Sequence, residues 1–263
     1  MAKVSEEATS GTEATAPVVV PRPASTVLLV RDDPFEVLLV LRSVGHDFYP
    51  SVFVFPGGRV EDHDASPAWQ DAIEHHEKLS DSERAHRIAA LRETHEEAAI
   101  LIAHGVGDNI PLPVAGAQAF QELVVGMGAR LLLDEVVPFA HWITPPGGPK
   151  RFDTRFYLSR APDGQLAQAD ATETDDVRWM NPTEAVDLAR AGELDLPSPT
   201  WMNLMLLAQA QDTEQALARA RARSIVPVIS TRPPGDPIKP GWSRLGVPLE
   251  AGYGGTVFDV PGH

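Results

Sequence analysis

An α/β domain, a mixed sheet flanked by helices, is the fold class that the sequence predicts, and three observations carry it. Strand-like runs come first, a long amphipathic helix follows, and further strands and helices continue to near residue 223; that order gives a mixed sheet with helices packed on it. The 263 residues are 43% hydrophobic, enough to bury a sizeable core in one large domain, or one domain with additions. No internal repeat is visible, and no apolar run approaches the roughly 18 residues of a membrane span.

Taken in order, residues 1–20 are rich in Ala, Thr, Glu and Ser without a period, and read as a disordered tail that Pro21-Arg22-Pro23 ends. Residues 25–31 and 36–42 are strand-like and separated by Asp32-Asp33-Pro34-Phe35, a hairpin spacing with turn residues in the gap. A third strand, 52–55, runs into Pro56-Gly57-Gly58, where paired glycines let backbone approach a ligand without a Cβ in the way. Residues 67–79 read as an inserted helix whose His75 and His76 point into solvent. Beyond the long helix, 117–126 is another short helix, 136–145 a strand entering a Pro/Gly loop, and 151–158 a half-buried strand with polar and aromatic residues in alternation. After a short strand at 177–180, Asn181-Pro182 caps and starts a helix. Helices are expected over 182–191, 199–210 and 213–223. The predicted organisation is a tail (1–20), a domain (21–225, with an insertion at about 65–80) and a Pro/Gly-rich extension (226–263) packed over the domain.

The long helix carries the chemistry. Ser80 opens it with Glu83 three residues on, the spacing of a capping box. Ile88, Leu91, His95, Ala98 and Ile102 recur at steps of three and four and form a buried stripe. Glu93, Glu96 and Glu97 fall on the opposite face, where like charges about 5–6 Å apart repel. Oxygen ligands of this kind hold hard divalent cations such as Mg²⁺, while an ordinary solvated acidic face is the bland alternative.

Phe55-Pro56-Gly57-Gly58 and Arg92-Glu93-Thr94-His95-Glu96-Glu97 together resemble the Nudix box, G-x5-E-x7-R-E-U-x-E-E-x-G-U, with U a bulky apolar residue. Gly58 matches the first glycine, Asp64 stands where the first glutamate belongs, and Arg92, Glu93, Glu96 and Glu97 match the core. Three departures stand out: about 20 extra residues between Asp64 and Arg92, Thr94 as a weak apolar residue, and Ala99 for the second glycine, a mild change if it lies in the helix. The stretch 141–145, then 151–156, the insertion inside the box and 179–185 resemble the long-insertion branch that includes peroxisomal coenzyme A diphosphatases. The resemblance covers roughly 22–210.

The resemblance implies an α/β/α sandwich and metal-dependent hydrolysis of a nucleoside-linked diphosphate. It implies that Glu93, Glu96, Glu97 and the Gly58 carbonyl hold Mg²⁺ or Mn²⁺, with Glu96 the first choice of general base. Arg92 belongs to the same catalytic set and is expected to pin a neighbouring carboxylate such as Asp64. Arg42, Arg151 and Arg155 are candidate phosphate partners through their guanidinium forks, Gly57 lines the substrate, and Trp142 beside His141 is a candidate for stacking a base. Glu173 and Asp175 read as an exposed acidic loop. Coenzyme A or acyl-coenzyme A is one expected substrate, but the familiar coenzyme A pattern is half present: Leu38-Leu39-Val40-Leu41-Arg42-Ser43 matches its opening, while Asp47 and Ser51 replace its Arg and Gly. ADP-ribose or NADH is the alternative substrate class, and a binding or regulatory module without catalysis the alternative of another kind.

A formal net charge of −15 argues against nonspecific nucleic-acid or anionic-membrane partners and leaves room for a polyanionic small molecule neutralised by metal. The chain has no cysteine, so disulfides and thiolate metal sites are excluded. No signal-peptide core is present and the last residues are no Ser-Lys-Leu address, so a cytoplasmic protein is expected. The residues leave open whether it is a monomer or a homodimer.

Overall fold

Strand β1 (Arg22–Arg31) is the centre of the structure, a computed structural model that describes residues 19–43, 45, 51–106, 110–238 and 240–261. Along the chain follow β2 (Glu36–Arg42), β3 (Phe53–Val54), β4 (Gly57–Arg59) and β5 (Ile73–Glu74), then α1 (Asp81–Ala98), β6 (Ala103–His104), α2 (Ala117–Gly126) and β7 (Arg130–Leu132). Next come β8 (Val137–Ile143), β9 (Phe152–Arg160), β10 (Thr174–Met180), α3 (Pro182–Ala191), α4 (Ser198–Leu207) and α5 (Thr213–Ala222). The last strands are β11 (Pro227–Val228), β12 (Trp242–Gly246) and β13 (Val257–Pro261). The main sheet runs β10-β2-β1-β9-β8-β11, with β3 on β2 and β4 on β1. β1 is parallel to β9 and antiparallel to β2, so the sheet is mixed as expected.

Helices cover both faces, so Val27, Leu28, Leu29 and Val30 are all buried, whereas a sheet with one wet face would show alternation. Val27 and Leu29 pack with Ile88 and Leu91 of α1. Leu28 and Val30 pack on the other face with Val186, Trp201, Leu204 and Leu217 of α3, α4 and α5. This is the three-layer sandwich that the resemblance implied. Asn181 caps α3 by accepting from the Thr183 and Glu184 N–H groups, with Pro182 at the first position. No helix among the described residues is long and apolar enough to cross a membrane.

Two expectations need correction, one is given detail, and one falls outside the described residues. The insertion is not an α-helix over 67–79: it makes two 3₁₀ turns, Asp62–Ala65 and Pro67–Trp69, and strand β5, which pairs with β7. Pro67 and the fully buried Trp69, packed on Phe120 at 5.8 Å, set a turn in place of the helix. The C-terminal extension forms the β12–β13 hairpin, and its Leu245, Tyr253 and Val260 join the core of the far face. The predicted tail lies outside the described residues except for 19 and 20, as does Asp47.

The second correction concerns the end of α1. Ile102 lies beyond it, because the helix stops at Ala98 and Ala99 takes the left-handed conformation (φ 56°) as its C-cap. Alanine for glycine at this position is therefore not mild, since a Cβ is unfavourable there. Ala99→Gly should raise stability by about 1 kcal/mol in urea unfolding; an unchanged or lower midpoint would show the cap to be unstrained.

Candidate active site

Helix α1 begins as the sequence indicates, with Ser80 Oγ accepting the Glu83 N–H at 3.2 Å. Only that half of the capping box forms, because the Glu83 carboxylate turns to Arg87 at 3.0 Å and Arg155 at 2.7 Å. Further along, the bland alternative of a solvated acidic face is not what the structure shows. Glu93 and Glu97 are buried, 8% and 4% exposed, beneath the glycine turn that enters β4.

The glycine turn explains the fit. Gly57 and Gly58 pair with Thr26 and Ser25 of β1, and the Gly57 N–H donates to Glu97 Oε2 at 2.9 Å. A Cβ on Gly58 would stand 2.5–2.6 Å from the Glu93 carboxylate atoms, and one on Gly57 would meet the Ser25 carbonyl oxygen at 2.5 Å. Bare backbone is thus required for the carboxylates to lie on this turn.

Arg92, 1% exposed, organises the other side. Its Nε and Nη2 donate to the two Asp64 oxygens at 3.1 and 3.0 Å, a bidentate pair, and Nη2 also donates to the Arg59 carbonyl at 2.8 Å. Nη1 donates to Glu93 at 2.8 Å and to Glu96 at 3.3 Å. Asp64 is fully buried and also accepts the Glu61 N–H at 2.8 Å. The expected Arg92–Asp64 pairing is observed, and Arg92 is enclosed by its carboxylate and carbonyl partners.

Burial pushes the Glu93 carboxyl up to about 7 against the pull of Arg92. Burial, and then the Glu93 charge, raise Glu97 well above the carboxylate range; Arg42 and the Gly57 N–H oppose them. Glu96 is raised too, by burial, but it lies on the flank, where it accepts the Gly116 N–H just before α2 at 2.9 Å. Accordingly, among the described residues no group of three or more acidic, His or Cys side chains is already arranged around a metal position. The donor set nevertheless fits a hard divalent cation: two dehydrated carboxylates press on each other over a backbone cradle that a Cβ would fill, and oxygen ligands are what such ions take.

The remaining candidates separate. Arg42 is at the site, a dehydrated guanidinium lowered by burial and held up by Glu97, Glu173 and Glu93. Arg151 is a buried strut, bonded to the Thr144 and Val19 carbonyls at 2.9 and 2.7 Å. Arg155 binds Glu83, ten residues and so about 15 Å of helix from Glu93. Trp142 cannot stack a base, because it is 5% exposed in the far core and donates to the Tyr253 hydroxyl at 2.8 Å. In each case the parity of β8 and β9 and the distant partner decide, and neither is visible locally. His141 bonds Asp153 instead of a ligand. Glu173 is exposed, as expected, yet its charge reaches Glu93, Glu97 and Arg42, because Asp170 draws the 170–174 turn closed through the Glu173 and Thr174 N–H groups.

One further contact, His86 Nδ1 with Ser25 Oγ at 2.9 Å, ties α1 to the β1 residue that pairs with Gly58. Burial and the nearby Arg155 lower His86 to about 4 from 6.5, with Glu83 and Asp153 opposing. Below pH 6.5 the unfolded chain therefore binds a proton at residue 86 that the folded chain refuses, so, against the opposite contribution of the raised Glu93, the His86 share of stability falls as pH drops through this window toward 4. The loss should be about 2 kcal/mol between pH 7 and pH 5, and His86→Asn should lack that share in urea unfolding at the two pH values. An equal pH dependence in both proteins would remove His86 from the account.

Three comparisons bear on this geometry. The family described as NUDIX domain matches residues 20–202. The chain is 30% identical over 201 residues to the putative nudix hydrolase 7 of Caenorhabditis elegans, covering 73% of this chain and 62% of that protein. It is 26% identical over 226 residues to the acyl-coenzyme A diphosphatase NUDT19 of Xenopus laevis, covering 66% and 60%. The chain thus spans about three fifths of the length of these curated relatives. Among solved structures, the NUDIX hydrolase from Alicyclobacillus acidocaldarius superposes with a TM-score of 0.66 at 27% identity, over 76% of this chain and 96% of that one.

Proposed function

From the premise that this chain belongs to the NUDIX domain family, we propose that it hydrolyses the diphosphate bond of a nucleotide-linked small molecule, with coenzyme A or an acyl-coenzyme A as the first candidate. The observation that carries this reading is the buried Glu93 and Glu97 pair laid on Gly57-Gly58. A site without catalysis would gain nothing from two dehydrated carboxylates that raise each other's proton affinity. The name of the Xenopus relative supports the coenzyme A class.

Glu93, Glu97 and the Gly58 carbonyl, with Glu96 beside them, would hold Mg²⁺ or Mn²⁺. When bound, such an ion supplies positive charge to offset the diphosphate and to acidify water. Glu96 accepts the proton of the attacking water: its side chain is 18% exposed against 10% for Glu93, so it is the carboxylate that solvent reaches more readily. Arg92 fixes where Glu93 and Glu96 point, and Asp64 fixes Arg92. Arg42 adds positive charge beside Glu97 where phosphate oxygens would lie. A second reading, hydrolysis of ADP-ribose or NADH, is favoured by Ser51 in the place of the glycine of the coenzyme A pattern.

A panel of coenzyme A, acyl-coenzyme A, ADP-ribose, NADH and nucleoside triphosphates, assayed with Mg²⁺ and Mn²⁺ in ¹⁸O-labelled water, tests the proposal. Label should appear on a phosphate product, and coenzyme A should give 4′-phosphopantetheine and adenosine 3′,5′-bisphosphate. Release of free fatty acid with the diphosphate whole would overturn it; the chain has no G-x-S-x-G elbow to support that chemistry.

A further inference from the structure

On the face of the sheet opposite the carboxylates, a groove of about 320 Å³ opens between α4, α5, β8 and the C-terminal segment. Its wall is apolar, with Phe139, Leu206, Ala210, Ala216 and Ala220. Two cations line it as well, Arg219 and Arg223, four residues apart and so on one side of the helical path of α5.

The arginines make this more than an apolar dent. Arg223 is half-buried, donates to the Phe139 carbonyl and lies over the Phe139 ring at 4.8 Å. Burial lowers its pKa, and the opposing field comes from Tyr253, a hydroxyl group, with no carboxylate among its neighbours. Among the described residues neither Arg219 nor Arg223 forms an ion pair. The carbonyls at the C-terminal end of α5 account for some cationic character there, but Arg221, also in that last turn, does not line the groove. In a chain of net charge −15, two guanidinium groups without carboxylates beside an apolar hollow match a ligand with an oxyanion head and an apolar tail. A cavity of about 150 Å³ admits benzene, and twice that room takes about ten chain carbons.

We propose that this groove is a second ligand site, for a soluble single-chain aliphatic carboxylate of about ten carbons, with the tail along Phe139 and Leu206 and the head forked by Arg219 and Arg223. The site lies across the sheet from the Glu93 and Glu97 pair and does not rest on the catalytic reading.

Calorimetric titration of decanoate, below micelle formation, into the metal-free 263-residue chain tests it. One saturable site per chain is expected, at least tenfold weaker in Arg219→Glu, whose side chain is exposed and outside the core. Arg223→Gln should weaken it comparably, and Ala216→Trp, which fills the groove, should abolish it; circular dichroism and the ligand-free melting midpoint identify any variant that has lost its fold. Decan-1-ol and decyltrimethylammonium should bind at least tenfold more weakly than decanoate. No saturable heat, decanol binding as tight as decanoate, or full affinity in folded Arg219→Glu would overturn the proposal. So would sedimentation showing that the groove is filled by a second copy of the chain, in a dimer that Arg219→Glu breaks.

Discussion

Glu97→Gln is expected to lower diphosphate hydrolysis by about a thousandfold, which is about 4 kcal/mol of barrier, while leaving the fold intact. Glutamine keeps an oxygen for the Gly57 N–H, the 2.9 Å bond that seats residue 97 on the glycine turn. What it loses is the charge, and with it half of the buried anionic pair. Affinity for Mn²⁺, measured by calorimetry without substrate, should therefore fall along with the rate. The metal-free variant should melt no lower than the metal-free parent, because a dehydrated carboxylate beside Glu93 is a burden when no cation is bound. Near-parental activity in purified Glu97→Gln would sink the assignment of this pair as the metal position.

Arg92→Met carries the largest expected loss of stability. Arg92 is the counter-charge for Asp64, which is fully buried, and it also bonds Glu93 and the Arg59 carbonyl. Methionine fills much of the volume but leaves Asp64 unpaired, and breaking such a buried pair costs about 3–5 kcal/mol. In a chain of this size the melting midpoint should fall by about 10 °C. The double variant Arg92→Met, Asp64→Leu should recover at least half of that loss, since removing both charges leaves no isolated ion. If Arg92→Met alone melts with the parent, the pair is not what holds the insertion against α1. Recovery of stability in the double variant without recovery of activity would separate the structural part of Arg92 from its part in aiming Glu93.

The two cases differ in how visible they were in advance. The Arg92–Asp64 pair was legible because a guanidinium among carboxylates, set near a lone acidic residue after a glycine turn, has few other uses. The carboxylate spacing of Glu93, Glu96 and Glu97 was legible for the same local reason. Their burial was not. It depends on β4 returning antiparallel to β1, with Ser25 opposite Gly58, and a strand of three residues has too little pattern to announce itself. The arginines divide on the same ground: Arg42 reaches the site and Arg151 and Arg155 do not, because strand parity and partners more than 50 residues away in sequence settle each one.

The sequence by itself determined the order of strands and helices, the caps at Ser80 and Asn181, the acidic helix and its glycine turn, because each is written in residues within a few positions of one another. Tertiary structure decided the rest. It placed Ala99 in a left-handed cap, drew the insertion into a small sheet with β6 and β7, and brought the C-terminal hairpin onto the far core. It also buried Glu93 and Glu97 as a dehydrated pair under the glycine turn. All of these depend on which distant segment supplies the other half of a contact, and local periodicity carries no information about that partner.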